Sequence, residues 1–177
     1  VYACGKNDYG QLGIEWVEPR SAPVRMSAPL AEETVTNLAC GYYHSAARTD
    51  TGLVYVFGRN DYGQLGLGHM EQRRAVENEP QRCEALSSSD APVTRLVCGA
   101  YHTLVQRADG AVLAFGSNRF GQLGLGHDCN EKVCATPTVV RALCDETVLG
   151  RFELRHFACG EFHTLAAGLL DESTVVP

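Results

Sequence analysis

Three residues could do chemistry together. His44, His102 and His163 close a repeated Cys-Gly-x-x-His phrase, each four positions after Cys40, Cys98 or Cys159. Imidazoles bind metals and move protons, so the three would suit a catalytic or metal-binding trio. A second ligand-rich stretch runs through His127, Asp128 and Cys129 to Cys134 and Cys144. It lacks the paired Cys-x-x-Cys knuckles that mark structural zinc. The chain has no Walker phosphate loop and no Gly-x-Ser-x-Gly elbow. Its acidic residues outside the repeated phrases, such as Glu32, Glu33, Asp145 and Glu146, read as solvated.

Periodicity reassigns the histidines. They recur at intervals of 58 and 61 residues, which makes them one structural position seen three times rather than three corners of one site. Each is expected to hydrogen-bond a neighbouring strand or loop, with Ser45, Thr103 or Thr164 beside it. Cys40, Cys98 and Cys159 then read as small buried residues, as does Cys4, which stands where Phe57 and Phe115 stand. Cys83, Cys129, Cys134 and Cys144 read as incidental loop thiols. No catalytic residue, metal or cofactor is expected, and the chain reads as a non-enzyme.

A second phrase repeats in step: Asn7-Asp8-Tyr9-Gly10-Gln11-Leu12-Gly13, Asn60-Asp61-Tyr62-Gly63-Gln64-Leu65-Gly66 and Asn118-Arg119-Phe120-Gly121-Gln122-Leu123-Gly124. A third element, Leu53–Gly58, returns as Ala111–Gly116 and, shortened, as Val1–Gly5. Leu96–Cys98 and Thr103–Gln106 read as strands around Gly99. Thr49-Asp50-Thr51-Gly52 and Ala108-Asp109-Gly110 supply hairpin reversals. No window carries a sustained 3.6-residue apolar period, so long helices are not expected. Short strands and a unit near 55 residues predict an all-β propeller of roughly three four-stranded blades. Residues 1–177 then form one partial propeller domain, with units 1–57, 58–115 and 116–177.

The linked order Cys-Gly-x-x-His-Thr, Asp-Gly-x-Val, aromatic-Gly, Asn-x-x-Gly-Gln-Leu-Gly resembles the repeat of the regulator of chromosome condensation family over most of the chain. The resemblance implies a ring, usually of seven blades, of which about three are present. Three blades alone would leave exposed blade faces and unpaired strand edges. A segment of a larger ring, two copies closing a six-bladed ring through their open edges, or a capped open arc would each answer this, and the first is favoured.

The resemblance also implies that the residues between Gly and His lie near one face of the ring, where partners dock. The expected partner-binding set is therefore Tyr42 and Tyr43, Ala100 and Tyr101, Glu161 and Phe162, an aromatic-rich composition suited to interfaces. The aromatic recurs at Tyr43, Tyr101 and Phe162, which favours packing between blades for those three. Tyr42, Ala100 and Glu161 vary between units and are the stronger recognition candidates. The long segments 70–91 and 128–150 are the other candidates.

The function expected is a non-catalytic protein-interaction scaffold. The alternative is guanine-nucleotide exchange on a small Ran-like GTPase, the activity of the family's founding member. The family's ultraviolet photoreceptors use a Gly-Trp-Arg-His-Thr motif that is absent here, since the only tryptophan, Trp16, lies elsewhere. A formal charge of −6 provides no field toward nucleic acid or anionic membranes. With no long apolar run, a cytoplasmic or nuclear setting is expected.

Overall fold

A computed structural model describes residues 1–26, 28–70, 76–87, 90–126, 131–144 and 152–170. They form twelve strands and short 3-10 turns. Strands β1 (Tyr2–Gly5) and β2 (Arg20–Arg25) pair as a two-stranded sheet. Strands β3 (Val35–Cys40), β4 (His44–Thr49), β5 (Val54–Arg59) and β6 (Val76–Arg82) form a four-stranded antiparallel meander. Strands β7 (Val93–Cys98), β8 (His102–Arg107), β9 (Val112–Ser117) and β10 (Val133–Val139) repeat it, and β11 (Phe152–Cys159) pairs with β12 (Thr164–Leu170).

The strands thus make two complete blades flanked by two two-stranded sheets. Strand β5 runs across positions 57 and 58, and β9 across 115 and 116, so sheets and sequence periods are out of phase. Gly52 shows why the β4–β5 hairpin closes where it does. Its φ of +82° is open to glycine at little cost, and its amide donates to the Thr49 carbonyl at 3.1 Å.

The sheets stack because their strands are apolar on both faces. Along β9, Leu113 and Phe115 enter the core between the two complete sheets, whereas Val112 and Ala114 enter the core facing β11–β12. Strand β5 does the same, sending Val54 and Val56 one way and Tyr55 and Phe57 the other. This is period-two alternation with both faces buried. The first strands of successive sheets, β3, β7 and β11, lie against one another. There the Leu96 amide donates to Asn37 Oδ1 at 3.2 Å, and Arg95 donates to the Arg155 carbonyl. Sheets that converge on their first strands fan outward as propeller blades.

The cysteines depart from their expected burial. Cys4 and Cys40 are exposed and Cys98 and Cys159 only partly covered. Cys83 departs in the opposite sense. It is fully buried among Leu65, Leu86 and Phe115, and burial pushes its thiol up to about 11. Cys134 lies in strand β10 rather than in a loop.

Candidate partner-docking face

The Cys-Gly-x-x-His phrase builds two layers at once. Its histidine turns inward in the first two copies, whereas His163 is exposed. His44 on β4 donates from Nε2 to Thr103 Oγ1 on β8 at 3.0 Å, and Thr103 donates onward to the Gln64 carbonyl at 2.9 Å. His102 and Thr164 repeat the link at 3.1 Å, with Thr164 donating to the Gln122 carbonyl at 2.7 Å. The onward donation occupies the threonine proton, so the imidazole must supply its own and is neutral with Nε2–H. Burial, reinforced by the next histidine along, lowers His44 to about 3 and His102 to about 4. These histidines are staples between blades, not acids or bases.

Glycine makes room for the staple. A Cβ at Gly41 would lie 2.2 Å from His44 Cε1 and 2.6 Å from the Gly99 carbonyl oxygen. At Gly99 it would lie 2.0 Å from His102 Cε1. The ring therefore occupies the space a side chain would need.

The Asn-x-aromatic-Gly-Gln-Leu-Gly loops follow β1, β5 and β9, and their Asn, Gln and Leu also turn inward. Asn60 Oδ1 accepts from the Leu65 amide at 3.2 Å, and its Nδ2 donates to the His69 carbonyl at 3.0 Å. Gln64 Oε1 accepts from the Tyr62 amide at 2.9 Å. Gln11 and Gln122 make the same bond, each at 2.9 Å. Leu12, Leu65 and Leu123 fill the three cores. The aromatic of the phrase does not follow them inward.

That aromatic meets the residues between Gly and His. Tyr9 packs on Tyr43 with centroids 4.7 Å apart, Tyr62 on Tyr101 at 5.3 Å, and Phe120 on Phe162 at 5.3 Å. Tyr42 bridges neighbours, edge-on to Tyr43 at 6.2 Å and to Tyr101 at 5.6 Å. Tyr101 in turn stacks beside Phe162 at 6.3 Å. Seven rings form one continuous ladder at the end of the blades where β3 turns to β4. Aromatic pairs of this kind are worth about 0.5–1.5 kcal/mol beyond their burial.

Cations thread the ladder. The Arg59 guanidinium lies 4.9 Å from the Tyr9 centroid, 5.5 Å from Tyr43, 5.9 Å from Tyr62 and 6.0 Å from Tyr101, and it pairs with Asp61. Lys6 approaches Tyr43 at 5.6 Å and pairs with Asp8 at 3.0 Å. Arg119 stands over Tyr62 at 5.2 Å. The Glu161 carboxylate beside Tyr42 holds its phenol above the usual range.

The residues expected to bind partners are brought together, with one distinction. Tyr42 (51% exposed), Phe162 (41%) and Glu161 are open to solvent, while Tyr43 and Tyr101 are half-buried. Ala100 is buried and reaches the ladder only through its carbonyl, which accepts from the Tyr42 amide at 3.2 Å. Tyr9, Tyr62, Phe120, Arg59 and Arg119 join the face unforeseen. Their signal was an aromatic held inside an otherwise polar turn phrase. His127, Asp128 and Cys129 lie outside the described residues. Among the described residues no group of three or more His, Cys, Asp or Glu could hold a metal ion. No helix there is long and apolar enough to cross a membrane.

Family comparison agrees with the repeat. The regulator of chromosome condensation (RCC1) repeat matches residues 1–48, 51–106 and 109–167. Human protein RCC2 is 32% identical over 93% of this chain, and mouse secretion-regulating guanine nucleotide exchange factor 35% over 88%. The chain spans only about a third of either relative, 33% and 32%. Among solved structures, Prp20p of Saccharomyces cerevisiae, described with its binding properties to Gsp1p and histones, superposes with a TM-score of 0.73 at 17% identity. That match covers 97% of this chain and 40% of Prp20p.

Proposed function

The chain belongs to the regulator of chromosome condensation (RCC1) repeat family, and on that premise we propose that this partial propeller domain is a non-catalytic platform for docking proteins. The observation that carries the reading is the continuous seven-ring ladder, which gathers Tyr42, Glu161 and Phe162 from two sheets onto one end of the blades. Rigid aromatics in contact across blades offer large contact area at small entropic cost, the composition of interface hot spots. Behind them, buried His44 and His102 tie neighbouring blades together and hold the platform rigid.

The second reading is nucleotide exchange on a small GTPase, favoured by the similarity to a secretion-regulating exchange factor. One measurement separates the two. The full-length protein is mixed with a Ran-type GTPase loaded with fluorescent guanine nucleotide. Docking without exchange predicts an unchanged release rate, whereas accelerated release that is lost on replacing Tyr42 and Phe162 by alanine would install the exchange reading instead.

A further inference from the structure

The third unit breaks the charge pattern of the other two. Lys6-Asn7-Asp8 and Arg59-Asn60-Asp61 each place a cation before the asparagine and its own counter-ion after it. In the third unit the corresponding residues are Ser117 and Arg119. The preceding position holds a buried serine whose hydroxyl accepts from Gln122 Nε2 at 3.3 Å. The following position holds a guanidinium where the other units have a carboxylate. Arg119 is exposed, lies over Tyr62 at 5.2 Å, and has no ion pair among the described residues. Beside it stands Phe120, 71% exposed.

Glu161 brings the opposite charge to the same rings. From Arg119 the ladder runs through Tyr62, Tyr101 and Tyr42 to Glu161. We propose that Arg119 is the anchor for a carboxylate side chain of an extended, acidic–apolar segment of a protein partner, which lays its apolar residues over Phe120 and Phe162. This rests on the docking reading above and deepens it. An arginine held against a ring keeps less of its rotamer freedom, and its planar fork matches a carboxylate bidentately. Charge complementarity selects this occupant over nucleic acid. Lys6 and Arg59 on the same face are already held by Asp8 and Asp61. Among the described residues of the ladder Arg119 alone is thus left to meet an anion, enough for one carboxylate and too little for the run of phosphates along a nucleic-acid strand.

The test is selection of displayed random dodecapeptides on the full chain, followed by fluorescence titration of selected peptides. The expected result is enrichment of Asp or Glu next to Leu or Phe. Arg119→Gln should weaken those peptides about tenfold, and Arg119→Lys by less. Replacing the acidic residue of a peptide by its amide should weaken binding to the parent protein alone, with little further loss on Arg119→Gln. Peptides insensitive to Arg119→Gln yet lost on Phe162→Ser would overturn the carboxylate anchor and leave the docking face standing. Selection of nothing, or of peptides indifferent to both variants, would remove both readings. A labelled oligothymidylate bound through Arg119 would also overturn the acidic-segment assignment.

Discussion

The inward and outward layers of the blade ends are made from the same phrases and obey different rules. Inside, the His44–Thr103–Gln64 link is reproduced by His102–Thr164–Gln122 to within 0.2 Å in each bond. Outside, the copies diverge: one position holds Tyr42, Ala100 and Glu161 in turn, and another keeps aspartate at Asp8 and Asp61 but changes to Arg119. A buried polar link has one satisfied geometry and heavy penalties around it. A solvated ring or charge has many tolerable neighbours. Repetition therefore reports on the scaffold, and departure from it reports on the surface.

The contrast can be broken first at its hinge. Gly99→Val places atoms where the His102 ring and the Gly160 carbonyl already lie, so loss of about 3 kcal/mol or more is expected in chemical unfolding. Thr103→Val is next. It leaves the Gln64 carbonyl and the His44 N–H unpaired, for a loss of about 2–4 kcal/mol, while peptide binding at the ladder stays unchanged in protein that remains folded. A matching loss of binding would show that the layers are not separable.

Acid probes the inner layer with a graded effect. His44 and His102 lie below their ordinary value of 6.5, at about 3 and about 4. The unfolded chain thus takes up protons that the fold refuses. Stability is whole above pH 6.5 and falls with acidification until the folded values are reached, by about 1.4 kcal/mol per pH unit for each histidine. Urea midpoints at pH 7 and pH 5 should show the drop, and His102→Gln should shrink it. Tyr42→Phe gives the smallest effect. It removes only an exposed hydroxyl beside Glu161, so stability should move by less than about 0.5 kcal/mol.

Much of the scaffold is legible in the chain. The strands around Gly99 and the hairpin at Gly52 follow from neighbours a few residues away, and the stapling histidines follow from their repeat period, although His44 meets Thr103 across 59 positions. The ladder is less legible. Tyr62 and Tyr101 meet across 39 positions, and Tyr42 meets Glu161 across 119. Nothing local shows that the aromatic of a turn phrase leaves the core while its Asn, Gln and Leu enter it. Ala100 illustrates the converse: its variability marks a place where a side chain is absent from the ladder, and its backbone supplies the contact.

The two-sidedness of β5 and β9 has a mechanical consequence. Each middle strand belongs to two cores at once, so neighbouring layers share a wall, while layers further apart share none. Such a stack responds like a row of coupled springs, with damage felt strongly next door and faintly beyond. Amide exchange after Leu123→Ala should accelerate in β9 and β12 and fade before it reaches β1. Loosening can then travel along the arc one layer at a time, so that one end frays while the other still holds its shape.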